Sequence, residues 1–270
     1  MEKQRVVVAG AAGRMGRMLI EAVLASADCE LKAALDLAAA PSIGRDAAEF
    51  LGRVSGVTIG SDIDAALRDA HVLLDFTRPD GSLLHLTACR AHRVNAVIGT
   101  TGFDSAGRQA IDAAALDVAL VFAPNMSVGV NLTFKLIEMA ARALGAGYDI
   151  EIVEAHHRNK VDAPSGTALH MGAVAARALG RDHDAVAVFD RHGETGVRRD
   201  ETIGYAVVRG GDLVGDHTVM FLGQGERVEI AHRASSRTTY AQGAMRACRF
   251  LRDRSRGLFD MQDVLGIKQQ

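Results

Sequence analysis

Val6-Val7-Val8-Ala9 ends in glycine, and Gly10-Ala11-Ala12-Gly13-Arg14-Met15-Gly16 leads into a run whose apolar residues fall at helical spacing: Met15, Met18, Leu19, Ala22 and Val23. A β-branched run that stops at glycine reads as a buried parallel strand. Strand, glycine loop and helix in that order predict the opening unit of a layered α/β sheet. Glycines let the backbone turn tightly and approach a pyrophosphate, and the helix start offers unpaired N–H groups at the positive end of a dipole. The spacing, G-x-x-G-x-x-G, is a variant of a dinucleotide fingerprint and is a weak signal alone. Its context strengthens it. Glu30 to Leu35 reads as the second strand, and Asp36 follows about 20 residues beyond Gly16, where an acidic residue meets ribose hydroxyls. The plain alternative is a glycine-rich turn with no ligand.

Strand-like runs recur at Val72 to Phe76, Ala96 to Ile98 and Ala119 to Phe122, with helical patterns between them at Leu83 to His92 and Ala106 to Ala115. This alternation, through about residue 125, predicts a Rossmann-type doubly wound parallel sheet. The pattern then changes. Leu132 to Leu144 reads as a long amphipathic helix, Ile150 to Glu154 as a strand, and Thr167 to Leu179 as another helix. Val186 to Phe189, Ile203 to Val208, Thr218 to Leu222 and Arg227 to His232 follow as strands bounded by Gly and Asp, which predicts a second α+β domain with a mostly antiparallel sheet. A final helix, about Tyr240 to Leu251, is placed to return to the first domain. The boundaries expected are 1–127 with 238–270 for the dinucleotide-binding domain and 128–237 for the second. Leu37 to Gly56 is blurred by Ala, Gly and Ser and reads as a flexible loop; Arg191 to Glu201 reads as a charged one.

Composition narrows the classes of function. The net charge of -2 gives no general attraction to nucleic acid or anionic membranes. No apolar run approaches the roughly 18–20 residues that span a bilayer. The N-terminal residues run straight into a strand without a signal-peptide pattern, and Cys29, Cys89 and Cys248 are scattered and odd in number, so reduced thiols and a cytoplasmic location are expected. With no Trp and 4% aromatic residues, the core must be built mainly of Val, Leu, Ile and Ala.

Three further loops follow predicted strands: Asp75-Phe76-Thr77-Arg78-Pro79, Gly99-Thr100-Thr101-Gly102-Phe103 and Ala123-Pro124-Asn125-Met126-Ser127. Their small residues, hydroxyls and amide suit a carboxamide and a ribose, though each taken singly is equally well explained by turn chemistry. The case rests on all of them sharing an edge with the glycine loop. Asp36 accepts hydrogen bonds from a free 2′-OH and repels a 2′-phosphate, so the reading leans to NADH with NADPH tolerated. Leu37 brings no compensating charge, which leaves Arg14, and less directly Arg78, to supply one.

The densest chemistry lies downstream, in Glu154-Ala155-His156-His157-Arg158-Asn159-Lys160-Val161-Asp162-Ala163-Pro164-Ser165-Gly166-Thr167-Ala168. Adjacent histidines on a strand point to opposite sides. They cannot form the i, i+4 pair of a helical zinc site and no cysteine cluster accompanies them, so no metal is expected. One reading has one imidazole in a core and one at the surface; the other has one as proton donor and one as substrate ligand, which an unperturbed pKa near 6.5 suits. Lys160 supplies a positive charge for a carboxylate or a developing carbanion. Asp162 is either a turn residue or an imidazole partner. Ser165 reads as an N-cap, and Gly166 and Thr167 as the helix start that follows, a natural anion site. Together these favour an anionic substrate with carboxylates.

Val8 to Gly16, Asp75 to Pro79, Ile98 to Phe103, the Glu154-Ala155-His156-His157-Arg158 and Lys160 to Ala168 segments, and Gly257-Leu258-Phe259-Asp260-Met261 together closely resemble the 4-hydroxy-tetrahydrodipicolinate (dihydrodipicolinate) reductase family, nearly end to end. The E-A-H-H segment is the specific part. The resemblance implies hydride transfer from NADH or NADPH to a cyclic unsaturated dicarboxylate in the diaminopimelate route to lysine. It implies that Gly10, Ala11, Ala12, Gly13, Arg14, Met15 and Asp36 hold the adenosine and pyrophosphate. Gly99, Thr100, Thr101, Ala123, Pro124, Asn125 and Met126 would line the nicotinamide side. His156 would be the proton donor and Lys160 the second catalytic group, with His157, Gly166 and Thr167 on substrate carboxylates beside Ser165. A homotetramer joined through sheets of the second domain, and closure of the two domains on the ligands, are further implications. Leu37 departs from relatives that carry a basic residue there, which weakens any NADPH preference. Two other readings are a different dehydrogenase of small amino-acid-like acids, separated by substrate turnover, and a non-catalytic nicotinamide-nucleotide sensor, which would have little need of His156 and Lys160.

Overall fold

The computed structural model describes residues 2–268, which divide into two compact units, 2–128 with 238–268, and 129–237. The first unit runs β1 (Gln4–Ala9), α1 (Arg14–Leu24), β2 (Cys29–Leu35), β3 (Ile59–Gly60), α2 (Ile63–Leu67), β4 (Val72–Asp75), α3 (Pro79–His92), β5 (Asn95–Ile98), α4 (Ser105–Ala114) and β6 (Ala119–Phe122). The second holds most of α5 (Val128–Leu144), then β7 (Asp149–His156), α6 (Gly166–Ala178), α7 (His183–Val186), β8 (Ala187–Val188), β9 (Ile203–Arg209), β10 (Gly215–Leu222) and β11 (Arg227–Ala234). The chain returns to the first unit as α8 (Thr238–Phe250), β12 (Gly257–Phe259) and α9 (Met261–Leu265).

The first sheet is parallel in every pairing, in the order β12-β6-β5-β4-β1-β2-β3. Alternation along β1 explains why both faces need cover. Val6 and Val8 enter one apolar cluster with Leu19, Ile20, Val23 and α8, while Val7 and Ala9 enter another with Leu67, Leu86 and Ile111. Helix α1 turns Gly16, Leu19, Ile20 and Val23 inward at helical spacing. Strand order reverses between β1 and β4, which makes the carboxyl ends of those two strands the switch point where ligands gather in such sheets.

The second sheet runs β11-β10-β7-β9-β8. The long ladders of β10 with β7 and β11 are antiparallel, and β9 and the short β8 join in parallel. Helices α5 and α6 cover one face through Phe134, Ile137, Met171 and Ala175, against Ile150, Ile152, Val219 and Phe221. Among the described residues no helix is long and apolar enough to cross a membrane.

The segment Leu37 to Gly56, expected to be flexible, is ordered. Asp46 accepts hydrogen bonds from the N–H groups of Ala48 (2.8 Å), Ser55 (2.9 Å) and Gly56 (2.9 Å) and from Ser55 Oγ (2.9 Å). These donors hold its carboxyl down at about 2. Of the strand read at Val186 to Phe189, only Ala187–Val188 is extended, since Val186 closes α7.

Candidate active site

The glycine loop lies at the carboxyl end of β1 and packs without spare room. Gly10 has φ +68°, and a Cβ there would lie 3.1 Å from Thr77 Cγ2, on the loop after β4. A Cβ on Gly13 would lie 3.1 Å from Gly10 O, and one on Gly16 would lie 2.0 Å from the same oxygen, so α1 presses directly on the loop. Gly13 caps α1 without any side-chain hydrogen bond, and among the described residues no side chain is seen to take the N–H groups of its first turn. Asp36 stands beside this cradle, its Oδ2 accepting from Ala12 N (2.8 Å) and its Oδ1 from Leu37 N (2.9 Å). A backbone bared by glycines, an uncapped helix start and a carboxylate at the end of β2 fit a nicotinamide dinucleotide. Gly10, Ala11, Ala12 and Gly13 form the cradle, Arg14 and Met15 open α1 and Asp36 stands beside it, at the place where the sequence expects the adenosine and pyrophosphate contacts.

The other two loops of the first unit share that edge, and the structure sorts their residues. Gly99 must lack a side chain, since a Cβ would lie 2.1 Å from the Phe76 ring. Thr100 is turned inward: its hydroxyl accepts from Ser82 Oγ (2.8 Å) and lies 3.4 Å from Asp75 Oδ1. Asp75 also binds Thr77 Oγ1 (2.7 Å) and His85 Nδ1 (2.7 Å). The Thr100 hydroxyl is therefore part of a buried brace, which leaves exposed Thr101 as the outward side chain of this loop. Ala123 and Met126 are buried in the core, leaving Pro124 and Asn125 as the outward part of their loop.

In the second unit, β7 alternates strictly, with Ile150, Ile152, Glu154 and His156 facing inward. His156 is 8% exposed, and its Nδ1 lies 2.6 Å from Glu154 Oε2. A Cβ on Gly215 would come within 2.9 Å of its Nε2, so that glycine leaves the ring its space. His157 leaves the strand on the other side, half-buried, with Nε2 3.4 Å from Arg237 Nη2. Lys160 Nζ donates to both oxygens of Asp162 at 2.8 Å. Asp162 is thus the partner of the amine and not of an imidazole, and the Lys160 ammonium holds its carboxyl below the usual range. Ser165 caps α6, accepting from Ala168 N (3.1 Å), and is buried, while Gly166 is exposed and Thr167 half-buried at the helix start.

Three neighbours of this cluster were given no role from the sequence: Glu154, which lies in the E-A-H-H segment, and Arg209 and His217. Arg209 forks onto both oxygens of Glu154 at 2.8 Å. His217 stands edge-on to His156 with ring centroids 5.0 Å apart, and its Nε2 is 2.9 Å from Ser165 Oγ. Burial, and then the adjoining His156, push the His217 pKa down to about 4, so the ring is neutral near pH 7. The period-2 pattern of β7 was the available signal for Glu154, because it puts a carboxylate on the same face as two isoleucines. Arg209 and His217 become neighbours only through pairing of β7 with β9 and β10, which a linear reading does not supply.

Residues 4–126 match the family described as Dihydrodipicolinate reductase, N-terminus, and residues 129–265 match Dihydrodipicolinate reductase, C-terminus. The chain belongs to the dihydrodipicolinate reductase family. A family relative from Herminiimonas arsenicoxydans, named 4-hydroxy-tetrahydrodipicolinate reductase, is 60% identical over 268 residues, covering 99% of this chain and 100% of that protein. One of the same name from Bordetella parapertussis is 63% identical over 264 residues, covering 98% of each. Among solved structures, dipicolinate-bound dihydrodipicolinate reductase from Paenisporosarcina sp. TG-14 shares the fold with a TM-score of 0.78 at 23% identity, covering 97% of this chain and 98% of that one. GenD2 from gentamicin A biosynthesis, in complex with NAD, has a TM-score of 0.63 at 15% identity, covering 99% and 91%.

Proposed function

We propose that this chain is a 4-hydroxy-tetrahydrodipicolinate reductase, transferring hydride from NADH or NADPH to a cyclic unsaturated dicarboxylate to give tetrahydrodipicolinate, on the diaminopimelate route to lysine. The observation that carries the proposal is one cluster in the second unit of a chain of this family: a buried imidazole, an amine and the Ser165-capped start of α6. When bound, the cofactor supplies the hydride. The protein's part begins with holding the two carboxylates, which falls to His157, Lys160 and the Gly166–Thr167 start of α6 behind the Ser165 cap. Electron density that builds on the ring is quenched by a proton from His156. The Lys160 ammonium stabilises that density where it forms, after exchanging part of its pairing with Asp162 for the substrate.

Cofactor choice is read from Asp36. Its oxygens already take two backbone N–H groups and retain lone pairs for ribose hydroxyls, whereas a 2′-phosphate would meet its charge and find Leu37 beside it. NADH is favoured, with NADPH used more weakly. Chemically generated substrate should drive NADH oxidation by the purified protein. His156→Gln should lower kcat about a hundredfold or more and change KM far less. Near-normal kcat in that variant at every pH would remove His156 from the proposal. A kcat/KM preference for NADPH above about tenfold, equivalent to 1.4 kcal/mol, would reverse the cofactor assignment.

A further inference from the structure

Glu154 occupies a position that the pattern of β7 reserves for apolar side chains, and it is 1% exposed. A carboxylate there is costly unless every lone pair is used. Its Oε2 accepts from His156 Nδ1 (2.6 Å) and Arg209 Nη1 (2.8 Å); its Oε1 accepts from Ser165 N (2.9 Å) and Arg209 Nη2 (2.8 Å). Arg209 alone would satisfy an ion pair tying β9 to β7. The other two donors lead to the two working parts of the cluster, the imidazole and the cap of α6. Arg209 Nη2 also donates to the Asp162 carbonyl (2.7 Å), tying the loop between His156 and Ser165 to the same guanidinium.

We propose that Glu154 is the positioning residue of this site: a single carboxylate, clamped by Arg209, fixes His156 with its Nδ1 protonated and its Nε2 free, and sets the start of α6 through the Ser165 N–H. The inference rests on the reading of His156 as proton donor. An ionised carboxylate only accepts, so Nδ1 carries a proton and the exchangeable one belongs to Nε2. Burial drives the Glu154 carboxyl up, but hydrogen bonds from Arg209, His156 and Ser165 outweigh it and hold it below the ordinary glutamate value. The charged and titratable groups beside His156 are Glu154 on its own strand, Arg209 opposite it on β9 and His217 of β10, with Lys160 acting on His217. His232 of β11 acts on His217 beside it. Of these, Glu154 is the group hydrogen-bonded directly to the His156 ring.

The test is Glu154→Gln, which keeps the size and an acceptor for Ser165 N but removes the charge. We expect kcat to fall about tenfold or more, with KM for the dicarboxylate changing less than about threefold. The high-pH limb of the kcat profile should move to lower pH, because the imidazolium loses its counter-charge. Proton NMR of the cofactor-free protein gives a readout independent of turnover. Wild type should show a downfield imidazole N–H resonance that vanishes in His156→Gln, which assigns it, and in Glu154→Gln. If Glu154→Gln does not fold with Arg209 left unpaired, the double variant Glu154→Gln/Arg209→Met serves for the same measurements. A resonance that persists without the carboxylate overturns the inference, as does a kcat loss equal at every pH with an unmoved limb. A resonance lost with kcat and profile unchanged would leave Glu154 orienting His156 and instead overturn His156 as proton donor.

Discussion

His217 shows what a single side chain contributes when burial overrides its ordinary chemistry. It is held neutral between His156 and Ser165, with its Nδ1 buried and unpartnered. Its folded pKa of about 4 lies below the unfolded value of 6.5. Between those values the unfolded chain binds the extra proton, so stability is fully present above pH 6.5 and is lost as pH falls toward 4. The full loss is about 3 kcal/mol. Urea midpoints at pH 7 and pH 5 should therefore diverge more for wild type than for His217→Gln; equal divergence would mean that another group sets the pH response. Neither this burial nor the pairing of Lys160 with Asp162 was legible in the sequence. His156, Lys160 and Ser165 could be singled out because their residue types advertise chemistry, whereas the state of each depends on what β9, β10 and the loop bring against it.

Elements were legible to the extent that their hydrophobic period was long. β1, α1, β4 to β6 and the helices between them follow the expected alternation, because each buries a regular apolar face. β3, α2, β12 and α9 were missed; at two to five residues each, none shows a full period. The segment Leu37 to Gly56 fails for another reason. Its order combines local contacts that show no period: Asp46 collects backbone N–H groups across the turn, while Ile43 and Ala47 pack on the core and backbone hydrogen bonds tie Gly44 and Ala47 to Ile59 and Val57. Asp46→Ala should release this segment while leaving the sheet intact. Limited trypsin treatment should then cut faster at Arg45 and Arg53, with little change in the global unfolding midpoint; an unchanged cleavage rate would show that buried Ala47 and Ala48 suffice to hold it.

Across the molecule, each unit has its own sheet and its own apolar core, and the first is assembled from two distant stretches of chain. Helix α8 supplies Ala241, Ala244, Met245, Ala247 and Cys248 to the cluster that also contains Val6, Val8 and Leu19. It approaches so closely that a Cβ on Gly243 would lie 1.7 Å from Met126 O, the backbone of a loop at the candidate cofactor edge. Gly243→Ala should therefore cost about 2 kcal/mol or more, seen as a lower Tm, and weaken NADH binding by displacing that loop. A variant with wild-type Tm would mean that α8 can slide to make room.

The late return of α8 has a consequence during synthesis. A ribosome adding about 5–20 residues per second needs roughly 5–20 s to travel from Val128 to the start of α8. For that interval the nascent parallel sheet lacks the helix that covers Val6, Val8 and Leu19, and those side chains stay available to chaperones or to a neighbouring chain.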